Sequence, residues 1–343
     1  MTTHPLPAAA VTNNDSRPAD RARPITVMVA ALTCGRPDML ERLLKELGTL
    51  RIPDRSEVSV LIVDNDRSES GRPVVARYRE LLPGLNYAVE PVPGIPAARN
   101  HALRVANAAG TDLLAFIDDD EYPDRDWLVE LVRCWRQSDA DLVGGPVAVA
   151  PCRADAPLWS RWVNRSLAAR MARKNRRTGR KARSGGRFTI VTNNWLCDLA
   201  WQRRTGLMFD ERLQMTGGSD TQFYHAGRRL GMRARWCPEA VVNEAMDVER
   251  LTLRYQFHRA SMQSIQNFRR NYPSLSARAV AEVLFLAPLR CLSGCLLMVV
   301  PVLGAASPTI GARSIGWAVG RVRALFGARS TLYARGAGAD GRA

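Results

Sequence analysis

From Ile25 onward, short apolar runs rich in β-branched residues alternate with longer amphipathic segments, and the connections between them are short. Ile25 to Leu32, Val58 to Val63, Asn86 to Glu90, Leu113 to Ile117 and Leu142 to Val149 read as strands, most of them too apolar to leave a face in water. Helical stripes fill the intervals. Pro37 stands at a first turn and is followed by Met39, Leu40, Leu43, Leu44 and Leu47 on one face. A polar helix is expected over roughly 72–82, another from the Pro93-Gly94-Ile95-Pro96 turn to about Ala109, and a third from Trp127 to Trp135. Regular strand–helix alternation predicts an α/β fold with a mostly parallel sheet covered by helices on both faces.

The fourth apolar run leads straight into Asp118, Asp119, Asp120 and Glu121. Four adjacent carboxylates repel one another, and at the end of a buried strand they call for a compensating cation. Carboxylate oxygens are hard ligands that suit Mg²⁺ or Mn²⁺, and Mg²⁺ is usually held by one or two carboxylates plus substrate phosphates. The other reading is an acidic loop that caps the following helix through Asp124 or Asp126. Thr33, Cys34, Gly35 and Arg36 follow the first strand, Asp64 ends the second, and Gly94, Arg99 and Asn100 introduce the helix before the acidic strand. In a parallel sheet these positions converge on one edge, where open α/β sheets bind ligands. Singly they are weak: Asp64 also reads as a turn former, and Arg99 as a solvated helix residue.

The formal charge of +16 is unevenly placed. Residues 156 to 197 carry 11 basic groups and no acidic one, and residues 251 to 343 carry 12 against two. Nearly all are arginine, which favours bidentate phosphate contacts. No nucleic-acid module accompanies the charge, so an anionic membrane surface or a diphosphate-bearing substrate is the expected partner and nucleic acid is not. Seven scattered cysteines without metal-type spacing suit a reducing compartment. Residues 1–23 read as a disordered leader without the pattern of a signal peptide. Residues 161–187 read as a basic mobile loop, because like charges repel and little there can be buried. Residues 251–343 read as a helical, membrane-associated region. Cys291 to Ala312 contains no charge, but Ser293, Gly294, Pro301, Gly304, Ser307 and Pro308 interrupt it. Over 283–306 three readings stand: a re-entrant or interfacial hairpin, a true span, or a soluble core helix. Arg313, Trp317, Arg321 and Arg323 then mix cations with apolar anchors, which suits an anionic membrane face.

Four segments occur in order: Val-Asp-Asn-Asp (63–66), Pro-Gly-Ile-Pro-Ala-Ala-Arg-Asn (93–100), Phe-Ile-Asp-Asp-Asp-Glu (116–121) and Gly-Gly-Ser-Asp-Thr (217–221). Together they resemble the inverting family 2 glycosyltransferases of the GT-A fold, most closely bacterial exopolysaccharide enzymes of the succinoglycan glucosyltransferase type. The resemblance covers about residues 25 to 260, within a GT-A region expected over 24–250. It implies a nucleotide-sugar donor, usually a UDP-sugar, and Mn²⁺ or Mg²⁺. By the same resemblance Asp64, with Thr33 and Arg36 beside it, would meet the uracil. Asp118 and Asp119 would orient ribose and sugar, Asp120 would ligate the metal, and Arg99 would sit near the sugar diphosphate. Asp220 would be the catalytic base, or alternatively only an N-cap on its helix. Ser219 stands where the family pattern usually has glutamate, which alters acceptor contacts.

Gln256-Phe257-His258-Arg259-Ala260 is partly similar to the Gln-x-x-Arg-Trp signature of processive polysaccharide synthases, but Ala260 replaces the tryptophan. Single-sugar addition is therefore expected. Arg259 is a candidate phosphate contact or a solvent-facing arginine. Trp195 and Trp201 are a candidate acceptor platform or core residues, and His225 and His258 are extra metal ligands or structural. The expected protein adds one sugar to a lipid-linked saccharide at the cytoplasmic face of the plasma membrane, with the 161–187 segment and the C-terminal region holding the acceptor's diphosphate and the bilayer. Its rivals are a sugar nucleotidyltransferase and a non-enzymatic basic tether.

Overall fold

The computed structural model describes residues 21–213, 218–272, 274–299 and 307–330. The N-terminal half builds one long sheet from strand–helix units. These are β1 (Ile25–Thr33), α1 (Pro37–Leu47), β2 (Ser56–Asp64), α2 (Arg72–Tyr78), β3 (Leu85–Val89), α3 (Ile95–Ala108) and β4 (Leu113–Asp118). The chain continues through β5 (Glu121–Pro123), α4 (Trp127–Arg136), β6 (Leu142–Gly144), β7 (Val147–Val149), α5 (Leu158–Arg183), β8 (Asn194–Asp198) and α6 (Leu199–Thr205). After these come α7 (Ser219–Arg229), β9 (Ala234–Trp236), β10 (Val242–Glu244) and three long helices, α8 (Leu253–Asn271), α9 (Ala277–Val299) and α10 (Ser307–Leu325).

The main sheet runs β3-β2-β1-β4-β8-β6-β9, and a small second sheet runs β5-β10-β7. Strands β3, β2, β1 and β4 are parallel, whereas β8 is antiparallel to both β4 and β6. The strand order reverses about β1, whose neighbours are β2 on one side and β4 on the other. Such a reversal opens a crevice at the carboxyl ends of the strands. Side-chain alternation along β1 sends Val27, Val29 and Ala31 toward Leu40, Leu43 and Leu44 of α1 and Trp127 of α4. Met28 and Ala30 face Ala98, Ala102 and Leu103 of α3. Both faces are thus buried, as the uniformly apolar strands require.

The structure departs from the sequence expectations in three places. Leu142 to Val149 is not one strand: β6 joins the main sheet and β7 the small one, broken at Gly145-Pro146. A side chain cannot be fitted at Gly145, where a Cβ would lie 2.0 Å from the carbonyl oxygen of Ala240. Residues 161–187 are not a loop over most of their length, since Leu158–Arg183 is a continuous helix. Its Ala, Arg, Leu and Lys content favours helix. Val163 and Leu167 anchor it against Val149 and Leu251, while most of the arginines remain in water. Finally, Arg21, within the expected leader, is buried and donates to the backbone of Trp135 (2.6 Å) and Ala140 (2.9 Å).

At the C-terminal end α8 and α9 both pack on α10. Helix α9 turns small residues inward: Ala279, Val283, Ala287 and Gly294 are buried, and Gly294 faces Gly311 of α10. Its large apolar residues point outward, with Leu284 64%, Phe285 77%, Leu289 62% and Leu292 71% exposed. Among the described residues it is the one helix long and apolar enough to cross a membrane. Residues 300–306 of the expected hairpin lie outside the described residues.

Candidate active site

Parallel register sets three strand ends side by side: Thr33 pairs with Asp64, and Leu32 with Asp118. At the β2 end, Asp64 is fully buried and accepts from the backbone of Asp66 (3.0 Å) and Gly71 (2.8 Å) and from the Tyr87 hydroxyl (2.8 Å). These bonds make Asp64 the brace of the turn that follows β2. The neighbouring Asn65 ties the Pro93-Gly94 turn down. Its Oδ1 accepts from the Gly94 amide (2.7 Å), and its Nδ2 donates to the carbonyls of Glu90 and Val92. Gly94 caps α3 at φ 131°, a conformation that side-chain-bearing residues seldom adopt.

Asp119 is buried at the centre of the edge. It accepts from the Thr33 hydroxyl (3.1 Å) and from the Arg36 guanidinium (3.2 Å). Asp120 is more open and lies 3.7 Å from Arg250 and 3.9 Å from Arg36. Glu121 is buried, accepting from the Asp118 amide (3.0 Å) and from Asn193 Nδ2 (2.7 Å), so it organises the acidic turn from below. Burial pushes the Asp118 carboxyl up to about 7; Arg99 opposes this, while Asp120, Asp119 and Asp220 add to it. Asp119 is pushed up to about 6 by burial against the pull of Arg36. Glu121 is also raised well above the ordinary range, by burial and then by the charge of Asp118. Burial is the main cause at all three, and the neighbouring carboxylates add to it.

Opposite this edge stands the first turn of α7. Gly218, at φ 89°, is its N-cap, so Asp220 lies inside the first turn and is not the capping residue. The buried Ser219 hydroxyl accepts from Arg99 Nη1 (3.3 Å), and the Arg99 guanidinium lies 5.5 Å from the Phe209 ring centroid. Arg99 is thus a buried bridge between α3 and α7 rather than a solvated helix residue. Asn100 braces the same junction, donating to the Phe209 carbonyl (3.0 Å) and accepting from the Phe209 amide (2.8 Å). Asp220 is close enough for its charge to bear on both Asp118 and Lys174.

Trp195 does not form an acceptor platform. It is fully buried on β8 among Phe116, Phe209 and Phe223, and Trp201 is buried in the same core cluster. His225 and His258 are exposed and belong to no cluster of metal-ligand groups among the described residues. Arg259 lies half-buried on α8. Sequence reasoning missed Arg250, Glu244 and Lys174, which reach the edge from a short turn, the small sheet and α5. No strand-end pattern marks such positions.

A divalent cation suits the donor set by its chemistry: the edge offers carboxylate oxygens that burial drives toward protonation. Asp118, Asp119 and Asp120 do not close around a point by themselves. Among the described residues the group that does is Glu130, Cys237 and Glu239, where Arg133 already pairs with both glutamates. An ion at the acidic edge would have to share substrate oxygens, the usual habit of Mg²⁺.

The family model for glycosyl transferase family 2 matches residues 27–206. Over 231 residues, 66% of this chain and 68% of the relative, the sequence is 30% identical to succinoglycan biosynthesis protein ExoM of Rhizobium meliloti (strain 1021). Among solved structures, the mannosyltransferase PcManGT from Pyrobaculum calidifontis, in complex with GDP-Man and Mn²⁺, is similar at a TM-score of 0.53 with 19% identity, over 88% of this chain and 87% of that one. S. aureus TarS 1-349 in complex with UDP is similar at a TM-score of 0.50 with 15% identity, covering 87% and 91% of the two chains. These likenesses agree with the strand order and the acidic edge: the fold is GT-A, and the chain belongs to glycosyl transferase family 2.

Proposed function

We propose that the protein is a metal-dependent, inverting glycosyltransferase that moves one sugar from a nucleotide-sugar, most simply a UDP-sugar, to a hydroxyl of a lipid-linked saccharide. The observation that carries this reading is the opposition of Asp220 on α7 to the strand-end carboxylates Asp118–Asp120, with Arg99 bridging the two through Ser219. The bound ligands of PcManGT and TarS, GDP-Man and UDP, support a nucleotide-linked donor.

Asp220 accepts the proton of the acceptor hydroxyl as that oxygen attacks the anomeric carbon, typically a 10²–10⁴-fold effect. The bond from that carbon to the nucleoside diphosphate breaks in the same step, so a single displacement inverts the centre. Thr33 and Arg36 hold Asp119, and with Asp118 it orients the donor's ribose and sugar. Arg99 faces the sugar diphosphate, and Asp64 keeps the turn at the base end in place. Asp120 is the residue to hold Mn²⁺ or Mg²⁺, which when bound neutralises charge on the departing diphosphate.

Membrane association is supported by the outward leucines and phenylalanine of α9 and by the basic C-terminal region. The cytoplasmic face is the side on which such a donor would be met. The test incubates the full chain with a panel of UDP- and GDP-sugars and Mn²⁺ and measures nucleoside diphosphate release. Metal-linked release from one donor is expected. Turnover of a nucleoside triphosphate would point instead to a nucleotidyltransferase, and the absence of any nucleotide binding to a basic tether.

A further inference from the structure

Near Asp220 and Glu244, four cations from three packed helices come together. Arg170 and Lys174 lie one turn apart on α5, Arg259 is on α8 and Arg313 on α10. Close backbone contact sets this arrangement. A Cβ at Gly316 would lie 2.3 Å from the Phe257 carbonyl oxygen, and one at Gly320 2.3 Å from that of Ser261, so α10 nests directly on α8. Arg313 is fixed beside Arg259 by two neutral amides, donating to Gln256 Oε1 (2.7 Å) and Gln263 Oε1 (3.3 Å).

Among the described residues no carboxylate lies within ion-pair distance of Arg170, Lys174, Arg259 or Arg313. Two other cations in the same half of the protein do have such partners: Arg250 has Asp120 and Asp247, and Arg321 has Glu282. The electrostatic strain shows in the arginines themselves. Arg313 is brought down to about 10 by burial and then by the charges of Arg170 and Arg259. Arg170 is lowered by burial and by Arg259, and Lys174 by burial and by Arg170, with Glu244 and Asp220 pulling Lys174 the other way. Arg170 and Lys174 are exposed and Arg259 and Arg313 half-buried, so the cluster is open to a ligand. Like charges held this close repel one another unless an anion offsets them. Guanidinium groups match phosphate oxygens two at a time.

Lys174 lies within electrostatic reach of Glu244 and Asp220, which sets the cluster beside the proposed base. We propose that Arg170, Lys174, Arg259 and Arg313 form a diphosphate-binding subsite for the acceptor, holding the diphosphate that links its sugar to an apolar chain. This rests on the reading of the acceptor as lipid-linked. The outward apolar face of α9, which packs on the same α10, offers the neighbouring surface for that chain.

The test uses the full chain saturated with UDP and Mn²⁺, so that the donor side is filled, and titrates farnesyl diphosphate, farnesol and inorganic diphosphate. Farnesyl diphosphate is expected to bind more tightly than either of the other two. Arg170→Gln and Arg259→Gln should each weaken it about tenfold, while Arg259→Lys, which keeps the charge, should lose less. UDP affinity should stay within about twofold in all three variants, and this also reports that they remain folded. Three results would overturn the subsite: unchanged farnesyl diphosphate binding in the variants, a parallel loss of UDP affinity (the cluster then serving the donor), or equal binding of farnesol. Inorganic diphosphate binding as tightly as farnesyl diphosphate would remove the lipid from the assignment. If UDP and Mn²⁺ fail to bind the unaltered protein, it is the glycosyltransferase reading that falls, not the subsite.

Discussion

Asp220 and Asp118 lie close enough for their charges to interact, yet their substitution should have different consequences. Asp220→Asn keeps the shape of the α7 turn but removes the proposed proton acceptor, so transfer should fall by at least about 10²-fold. UDP binding measured by calorimetry should survive; near-normal turnover would take Asp220 out of the mechanism. The raised carboxyls of Asp118 and Asp119 carry a pH signature. Their folded values, about 7 and about 6, lie above the unfolded range near 4, so they favour the folded state most at low pH. That contribution fades as pH rises through about 6 to 7. Without a divalent cation, the thermal midpoint of Asp118→Asn should therefore gain on that of the unaltered protein between about pH 4 and 7.5. A constant difference across that range would show that the edge is not strained by its own charge. The places of the acidic run at the end of β4 and of Asp220 at a helix start were legible in the sequence, because a strand end and a glycine pair mark them. The direction of Asp64 was not, since only packing shows that its Oδ2 turns to Gly71 and Tyr87 while Oδ1 meets the Asp66 amide. Trp195 was misplaced for the same reason: a tryptophan near polar residues looks alike in a core and at a sugar platform.

Among the elements, those built from local pattern emerged where the sequence placed them, and those decided by distant contacts did not. The first four strands and their helices follow from apolar periodicity alone. The division of Leu142–Val149 between two sheets depends on the approach of the Ala240 carbonyl to Gly145, a contact between segments almost a hundred positions apart. Gly145→Ala should cost about 1–3 kcal/mol in chemical denaturation, because the obstruction is backbone and cannot rotate away. A cost near zero would mean the junction is looser than described. Helix α5 was hidden by its own charge: repulsion argued for a loop, but solvated arginines repel weakly and the helix-forming stretch needed only Val163 and Leu167 as anchors. Arg170, Lys174, Arg259 and Arg313 could not be grouped from sequence, since the packing of three helices brings them together.

For the whole molecule, the proposed membrane association makes the outward side of α9 the surface to test. Replacing Leu284, Phe285, Leu289 and Leu292 together by Gln should spare the fold, because these side chains touch little else. It should cut sedimentation with phosphatidylglycerol vesicles at least about tenfold, as full burial of each such side chain is worth roughly 1.5–3 kcal/mol. Unchanged sedimentation would assign membrane binding to the basic charge alone. The order of the main sheet also bears on how the chain is made. Strand β4 lies at the heart of the finished protein, but one of its two partners, β8, comes from a segment far downstream. At a synthesis rate of about 5–20 residues per second, the nascent chain leaves one edge of Leu113–Asp118 unpaired for several seconds after β1 has docked on the other. An apolar, unpaired strand edge is a template for aggregation. Newly made chains should depend on chaperone shielding over this interval, and a fragment ending before Asn194 should precipitate where the full chain does not.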